Sequence, residues 1–201
     1  MKVGILTFPN SVSYGACLQM LALQDTVRRM GHEVEIINYH NPYMKREKHT
    51  EKGRNPLKRA LRRRVRRLLH WRLYRRFRRF EQSRAAAYPA HPFTDRTRLR
   101  EIGGRYDAVI CGSDQVWNTD LTDNDAAYFL SDFSSMMRFS YAASIGKREI
   151  NAQEAERYKA LASLDRISVR EASAKQILST IIPNDVYTVP DPVLLLDQAE
   201  W

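Results

Sequence analysis

The first forty residues contain two short strand-like segments with one helical repeat between them, and this alternation limits the folds open to the chain. Residues 3–7 are a continuous apolar run of the kind that forms a buried parallel strand, and residues 34–39 are predicted to form a second strand. Between them, apolar residues recur every three or four positions along one helical face, and Gly31 follows where a helix-ending glycine belongs. A strand, a helix and a strand over this length predict a βαβ unit with a parallel sheet.

The same alternation continues to residue 189. Further strands are predicted at residues 108–111, 139–143, 167–169 and 186–189. Helices are predicted within residues 93–104, from Asn151 with Glu154 as a capping box, and at residues 172–181. With 43% hydrophobic residues the chain can bury a core. The fold class is therefore α/β, a Rossmann-like doubly wound parallel sheet.

The stretch at residues 106–118 carries the densest set of ligand-orienting groups. Its apolar strand breaks at Gly112 and is followed by small polar residues, and open α/β sheets bind ligands at the carboxyl ends of their strands. Asp114 fits a general base, a group that fixes a sugar hydroxyl, or the cap of an ordinary turn. Trp117 fits a stacking platform for a sugar ring or a core residue.

Five sequence blocks, in order, carry a resemblance to a known family. They are GILTFPNSVSYGACLQ at residues 4–19, YDAVICGSDQVWN at residues 106–118, SYAASIG at residues 140–146, ISVRE at residues 167–171 and DPVLLLD at residues 191–197. Together they resemble the polysaccharide pyruvyl transferase family. The resemblance implies two Rossmann-like domains that face each other across a cleft, as in glycosyltransferases of the GT-B class. It also implies that phosphoenolpyruvate donates a pyruvyl ketal to a sugar hydroxyl of a polysaccharide or its precursor, with release of phosphate and without a metal or organic cofactor.

The resemblance and the strand ends together give the candidate site. Gly15 opens a helix whose amides could hold an anion, although the spacing alone favours an ordinary turn. Arg170 fits a clamp for a carboxylate or phosphate, or an ion pair with Glu171. We expect Asp114 to be the catalytic residue. The expected substrate-binding residues are Asn10, Tyr14, Gly15, Gly112, Ser113, Gln115, Trp117, Asn118, Ser144 and Arg170.

The domain boundaries follow from the same blocks. Residues 1–190 are expected to form the amino-terminal domain, with a basic helical insertion at about residues 44–92. Residues 191–201 are expected to begin the linker to a second domain, absent from these 201 residues, that carries donor-binding His and Arg side chains in the family. We therefore expect this chain to be inactive by itself. The alternatives are a GT-B nucleotide-sugar glycosyltransferase and a non-catalytic module that binds anions or membranes.

The insertion makes the protein basic. Residues 44–84 hold 18 Lys and Arg against 3 Asp and Glu, whereas the whole chain has a net charge of +10. Residues 57–80 predict a basic amphipathic helix, which suits an anionic membrane surface or an anionic polymer. A solvated helix packed through its apolar stripe fits the pattern as well. Nucleic acid is the least favoured partner, because no base-reading module is present.

Other residue types narrow the function further. Cys17 and Cys111 are expected to be buried thiols, and the histidines lack the spacing of a zinc site. The acidic residues 119–125 lack the pattern of a calcium-binding loop and are expected to form a solvated loop. The sequence has no signal peptide and no membrane-spanning run. We therefore expect a cytoplasmic protein that associates with the inner face of the membrane.

Overall fold

The computed structural model describes residues 1–9, 13–43, 71–72, 75–77, 79–80, 92–133 and 136–201. The strands are β1 (Lys2–Leu6), β2 (Glu33–Ile36), β3 (Ala108–Gly112), β4 (Met137–Tyr141), β5 (Ile167–Val169) and β6 (Val186–Thr188). The helices are α1 (Tyr14–Arg29), α2 (Arg96–Gly103), α3 (Thr119–Thr122), α4 (Ala152–Tyr158) and α5 (Ala172–Ser179). Short 3₁₀ turns cover Ala126–Phe129, Lys159–Ser163 and Pro192–Leu195.

The strands form a parallel arrangement whose order reverses between β1 and β3. Four strands pair in the order β2-β1-β3-β4, all parallel. Strands β5 and β6 pair in parallel, and isolated bridges from Phe139 and Ala143 join β4 to the β5 region. The predicted Rossmann-like α/β fold is thus confirmed. In such sheets the point of reversal is where ligands bind, beyond the carboxyl ends of the strands.

Helix α1 covers one face of the sheet. Its buried residues Met20, Leu23 and Val27 share a core cluster with residues of β1 and β2. Ser13 caps the helix by accepting a hydrogen bond from the Ala16 amide, and Gly31, at φ +86°, follows its last turn. The βαβ unit of the first forty residues therefore forms as its sequence predicts.

The larger core cluster contains Trp117, which lies in the polar stretch after β3. Trp117 is fully buried, and its indole Nε1 donates to the Tyr128 carbonyl at 2.9 Å. The Tyr158 hydroxyl in turn donates to the Trp117 carbonyl at 2.7 Å. Because a sugar can stack only on an exposed ring face, the stacking role expected for Trp117 is replaced by a core role.

Two local expectations differ from the structure. Strand β4 begins at Met137 rather than at residue 139, because its first two residues are partly solvent-exposed and give no apolar signal. Residues 119–125 are not a solvated loop, since they contain α3 and the partly buried Asp125. The Asp125 carboxylate accepts hydrogen bonds from the Tyr39 hydroxyl at 2.6 Å and from the Asn41 amide at 3.1 Å.

The last ten residues fold back onto the domain. The Pro192–Leu195 turn lies against α1, and Glu200 forms an ion pair with Arg29 at the end of that helix. The division at residue 190 stays a prediction. Most of the basic insertion at residues 44–92 lies outside the described residues. Within the described part of the chain, no helix is long and apolar enough to cross a membrane.

Candidate functional site

The candidate site lies where the sheet order reverses, beyond the carboxyl ends of β1 and β3. Thr7 follows β1, Gly112 ends β3, and α1 starts on the far side of the loop after β1. Residues 10–12 lie outside the described residues, so the predicted substrate-binding residue Asn10 has no described position. The turn after β3 contacts α1 through the hydrogen bond between Ser113 and Gln19, as expected of a ligand site in this fold.

Gly112 lets the ends of β3 and β4 approach each other closely. Its φ is +140°, and a Cβ at this position would lie 2.1 Å from the carbonyl oxygen of Tyr141, which is its partner in the sheet. A side chain therefore has neither the backbone conformation nor the space it needs here. Gly112 fixes the direction in which the chain leaves the strand towards Ser113 and Asp114.

The two residues after Gly112 differ in their access to solvent. Ser113 is buried, and its hydroxyl donates to the Gln19 side-chain oxygen at 2.5 Å. Asp114 is half-buried, and its Oδ1 accepts a hydrogen bond from the Gln115 backbone amide at 2.8 Å. Asp114 is thus the carboxylate that this turn leaves partly accessible to solvent, whereas the Ser113 hydroxyl already has a partner inside the domain.

The pKa of the Asp114 carboxyl is raised above its ordinary value. Burial is the main cause, and the negative charge of Asp191 adds to it. The hydrogen bond from the Gln115 amide, the positive charge of Arg170 and the nearby Gln19 side chain act in the opposite direction. A carboxylate with a raised pKa accepts a proton more readily than an exposed one, which suits general-base chemistry.

Arg170 follows β5 and is held by two carboxylates. Its Nε donates to Glu171 at 3.0 Å and its Nη1 donates to Asp191 at 3.0 Å. The structure thus shows the ion pair with Glu171 that the sequence left open, together with a second partner that the sequence did not predict. With Asp114, this strand-end cluster of Asp114, Arg170, Glu171 and Asp191 has a formal excess of two negative charges.

Gln115, Asn118 and Ser144 stabilise the turn from within. The Asn118 side-chain amide donates to Gln115 Oε1 at 2.9 Å, and both side chains lie within 2.8 Å of the place where Gly146 would carry a Cβ. The Ser144 amide donates to the Asp114 carbonyl at 2.9 Å, and its carbonyl accepts from the Trp117 amide at 3.1 Å. These contacts define the shape of the turn that carries Asp114.

The Ser144 hydroxyl differs from these backbone contacts. It is buried and has no hydrogen-bond partner within the described part of the chain. Such a hydroxyl is uncommon in a folded protein, because burial without a partner costs free energy.

Gly15, the residue expected to bind an anion at the start of α1, is exposed, and an added Cβ there would meet only Ser13 Oγ at 3.8 Å.

Tyr14 connects the site to the basic segment. Its ring, 41% exposed, contacts Phe77 at a centroid distance of 5.2 Å and Phe80 at 5.4 Å. Phe77 is buried, whereas Trp71 is 47% exposed and lies 5.6 Å below the Arg75 guanidinium. Exposed arginines accompany Trp71; they are Arg72, Arg75, Arg76 and Arg79. We call this aromatic and cationic surface, made of Trp71 and these four arginines, the Trp71 surface. It belongs to the same segment as Phe77 and Phe80, which pack against Tyr14, the first residue of α1.

Sequence reasoning missed a buried polar network next to the turn. Lys147 donates to Glu154 at 2.5 Å, to Asp120 at 2.8 Å and to the Thr119 hydroxyl at 2.8 Å, and Thr119 also donates to Glu154. Glu154 completes the capping box that the sequence did predict at Asn151. The network joins the loop after β4 to α3 and α4.

This network predicts a specific acid sensitivity. Burial acts to raise the pKa of Glu154, but hydrogen bonds from Lys147 and Thr119 outweigh it and lower the pKa below 4.5. The folded state therefore binds this proton less tightly than the unfolded chain, so the stabilisation is complete above about pH 4.5 and is lost as the pH falls through the lowered pKa. We expect Glu154→Gln to be less stable than the wild type at pH 7, with the difference shrinking in acid.

Thermal unfolding measured from about pH 3 to about pH 7 tests this effect, because carboxylates titrate within that range. Glu156→Gln is the matched control, because Glu156 is an exposed residue of the same helix and accepts a hydrogen bond from Lys159 at 2.5 Å. A Glu156→Gln curve that follows the wild type while Glu154→Gln deviates supports the network. Equal pH dependence of all three proteins would contradict it.

The described residues contain two cysteines and no cluster of metal-binding side chains. Cys17 and Cys111 are buried thiols that form no disulfide, as expected, and burial raises the pKa of Cys111. Across the described ranges, no group of three or more His, Cys, Asp or Glu residues could hold a metal ion. The absence of a cofactor remains a prediction.

The family assignment agrees with this arrangement. The model of the family described as polysaccharide pyruvyl transferase matches residues 14–201, which include α1, the turn after β3 and the strand-end cluster. No curated protein and no solved structure matches the chain. The matched region covers nearly the whole sequence, and the chain therefore belongs to the polysaccharide pyruvyl transferase family.

Proposed function

We propose that this protein transfers the pyruvyl group of phosphoenolpyruvate to a sugar of a polysaccharide or its precursor, forming a ketal and releasing phosphate. The observation that carries the proposal is the half-buried Asp114 carboxylate at the reversal of the sheet, in a chain of this family. Asp114 serves as a general base that takes a proton from a sugar hydroxyl.

The balance of the reaction calls for such a base. A ketal joins one carbon to two sugar oxygens, so two hydroxyl protons leave the sugar. The methylene carbon of the donor gains one proton as it becomes a methyl group, and the departing phosphate takes the other. The donor itself supplies the carbon atoms, so the proposed reaction uses no organic cofactor. In this proposal Asp114 accepts one hydroxyl proton, because its raised pKa makes the carboxylate a stronger base than an exposed aspartate.

The net negative charge of the strand-end cluster favours binding of the sugar acceptor over binding of the anionic donor. Phosphoenolpyruvate carries a phosphate and a carboxylate, which require cations or helix amides. Arg170, the cation of this cluster, is already paired with Glu171 and Asp191. We propose that this domain orients the sugar and that the cations that hold the donor come mainly from a second domain. On this basis the 201-residue chain has no turnover by itself.

A thermal-shift titration tests whether this domain binds the donor or only the sugar acceptor. The chain is titrated with phosphoenolpyruvate, with a uridine diphosphate sugar and with sulfate as the control for nonspecific anion binding. Phosphoenolpyruvate should stabilise the chain no more than sulfate does. Selective stabilisation by phosphoenolpyruvate would move donor contacts into this domain, and selective stabilisation by the nucleotide sugar would favour the glycosyltransferase alternative.

Turnover tests the reaction itself. The chain, alone and extended by a second domain, is incubated with phosphoenolpyruvate and a panel of bacterial oligosaccharides, and phosphate release is measured together with the product mass. Phosphate release that depends on the oligosaccharide and yields a pyruvylated product supports the proposal. Turnover by the 201-residue chain alone would overturn its expected inactivity, and a glycosylated product would overturn the donor assignment.

A second role is favoured by the Trp71 surface, which we propose binds an anionic membrane at the cytoplasmic face. Trp side chains suit the interface between water and lipid, and each nearby Arg adds attraction to anionic headgroups. Phe77 and Phe80 pack against Tyr14, so the surface is anchored to the start of α1. An acceptor carried on a lipid would then be presented close to the candidate site.

Vesicle co-sedimentation tests this surface. We expect the chain to bind phosphatidylcholine vesicles only when they contain phosphatidylglycerol, with binding reduced on the order of tenfold by the combined change Trp71→Ser, Arg75→Gln and Arg76→Gln. Arg98→Gln, an exposed arginine of α2, is the matched control. Unchanged binding by the triple variant would reject the surface, and stronger binding to an RNA oligonucleotide would point to nucleic acid instead.

A further inference from the structure

The chain that leaves β4 carries one residue more than the β5 region beside it. Bridges pair Phe139 with Arg166 and Ala143 with Val169, so five residues on the β4 side lie opposite four on the β5 side. The extra residue makes a bulge, in which Ala142 has φ +50°, a left-handed conformation that alanine rarely adopts. Because this conformation costs free energy, the surrounding contacts must hold the bulge in place.

Two serines bridge the strands across this bulge. The Ser140 hydroxyl accepts a hydrogen bond from the Ser168 amide at 2.9 Å and donates to the Ser168 carbonyl at 3.1 Å. The Ser168 hydroxyl donates to the Ser140 carbonyl at 2.8 Å and accepts from the Ala142 amide at 3.3 Å. Each hydroxyl thus uses its proton and a lone pair to satisfy backbone groups of the neighbouring strand.

These side-chain bonds replace regular bonds of the sheet. The Ser140 amide donates to the Arg166 carbonyl at 3.1 Å, and a regular parallel ladder would place the Ala142 amide on the Ser168 carbonyl two residues later. Instead, the Ser168 carbonyl accepts from the Ala143 amide at 3.2 Å, and the Ala142 amide donates to the Ser168 hydroxyl. The bulge therefore shifts the pairing by one residue and sets which backbone groups follow at the carboxyl end of β4.

The two residues directly after the bulge join the two parts of the candidate site. The Ala143 carbonyl accepts a hydrogen bond from the Arg170 amide at 3.2 Å. The Ser144 amide donates to the Asp114 carbonyl at 2.9 Å. The place of this backbone, and with it the turn that carries Asp114, thus depends on the bulge.

We propose that Ser140 and Ser168 are positioning residues, whose reciprocal hydrogen bonds fix the bulge and the backbone to which the Asp114 turn is bonded. A displacement of about 1 Å at a catalytic group can lower the rate on the order of a hundredfold, so the shape of this backbone matters to a general base. The catalytic part of this inference rests on the proposed function.

Removal of one hydroxyl isolates its role. Ser168→Ala removes both the donor to the Ser140 carbonyl and the acceptor of the Ala142 amide. Ser140→Ala removes the reciprocal pair of bonds and keeps the test informative if Ser168→Ala does not fold. Ser168→Thr keeps the hydroxyl at a position that is only partly buried, and Ser179→Ala, at an exposed serine of α5, is the matched control.

Hydrogen exchange of backbone amides, followed by NMR, is the first measurement. The Ile37 amide is the reference, because it donates to the Ile5 carbonyl at 2.9 Å, away from β4. In Ser168→Ala, we expect the Ser144 and Arg170 amides to exchange roughly tenfold faster relative to Ile37, and Ser168→Thr to restore their protection. A purely structural role would accelerate all three amides by the same factor. Ser144 and Arg170 amides that accelerate no more than Ile37 would overturn the proposal, whether or not the protein is a transferase.

Kinetics of the chain extended by a second domain give the second measurement. We expect Ser168→Ala to lower kcat roughly tenfold with little change in KM, while Ser168→Thr and Ser179→Ala stay close to the wild type. An unchanged kcat in a Ser168→Ala protein whose strand-end amides exchange faster would overturn the catalytic part of the proposal. If the extended wild type has no turnover with phosphoenolpyruvate, the proposed function fails, whereas the exchange result still decides whether the two serines position the Asp114 turn.

Discussion

Gly112→Ala is expected to destabilise the protein by about 4 kcal/mol or more, because the change combines backbone strain with a steric clash. The φ of +140° disfavours any residue with a Cβ, and the added atom would lie 2.1 Å from the Tyr141 carbonyl oxygen. That oxygen belongs to the backbone of the paired strand and cannot rotate away as a side chain would. Relief of the clash would separate the ends of β3 and β4.

Two other glycines separate the cost of the backbone conformation from the cost of the steric clash. Gly31 has φ +86° and open space around it, so Gly31→Ala measures the cost of the backbone conformation alone, roughly 1 kcal/mol. Gly104 has an ordinary helical conformation with φ −61° and nothing within 4 Å, so Gly104→Ala should be close to neutral. Chemical denaturation should rank the variants Gly104, Gly31 and Gly112 in order of increasing loss. A Gly112→Ala protein as stable as Gly31→Ala would mean that the clash is relieved at little cost.

Asp114→Asn is expected to abolish most turnover and, at the same time, to stabilise the fold at neutral pH. Loss of a general base lowers kcat on the order of a hundredfold to ten thousandfold, measured in the chain extended by a second domain. Asparagine can still accept the hydrogen bond from the Gln115 amide, so the geometry of the turn should persist. The expected kinetic loss therefore comes from the missing base and not from a misplaced turn.

The stability effect follows from the direction of the pKa shift. Burial raises the pKa of Asp114, so the folded state binds the proton more tightly than the unfolded chain does. The carboxyl's contribution to stability is therefore most favourable at low pH and declines as the pH rises from the ordinary value of 3.8 through the raised folded pKa. The neutral asparagine avoids this decline, so the variant should unfold at a higher temperature at pH 7, and its advantage should disappear in acid.

Asp185→Asn is the control for both measurements. Asp185 is exposed and lies before the amino end of β6, whereas Asp114 follows the carboxyl end of β3, so Asp185→Asn should leave turnover unaltered and should not reproduce the stability difference of Asp114→Asn. An Asp114→Asn enzyme with wild-type kcat would remove Asp114 from the chemistry. A variant less stable than the wild type at pH 7 would indicate that the carboxylate stabilises the fold in its charged form.

Sequence pattern alone determined most of the architecture. Continuous apolar runs and helical repeats are local consequences of burial, so the parallel strands, α1 with its Gly31 end and the capping box at Asn151 could all be read from the chain. Gly112 was identifiable because a glycine between an apolar strand and polar residues marks a special backbone position. The ordered sequence blocks also predicted the family, which the family match from residue 14 to residue 201 confirms.

Only the tertiary structure decided which side chains meet. Gln19 and Ser113 are separated by 94 positions, and Arg170 and Asp191 by 21, so no local periodicity could pair them. An aromatic residue after a strand has the same local pattern whether it faces a cleft or the core, and long-range packing against Tyr128 and Tyr158 placed Trp117 in the core. Burial and pairing of polar groups depend on the summed contacts of distant segments, whereas the formation of strands and helices depends mainly on nearby residues.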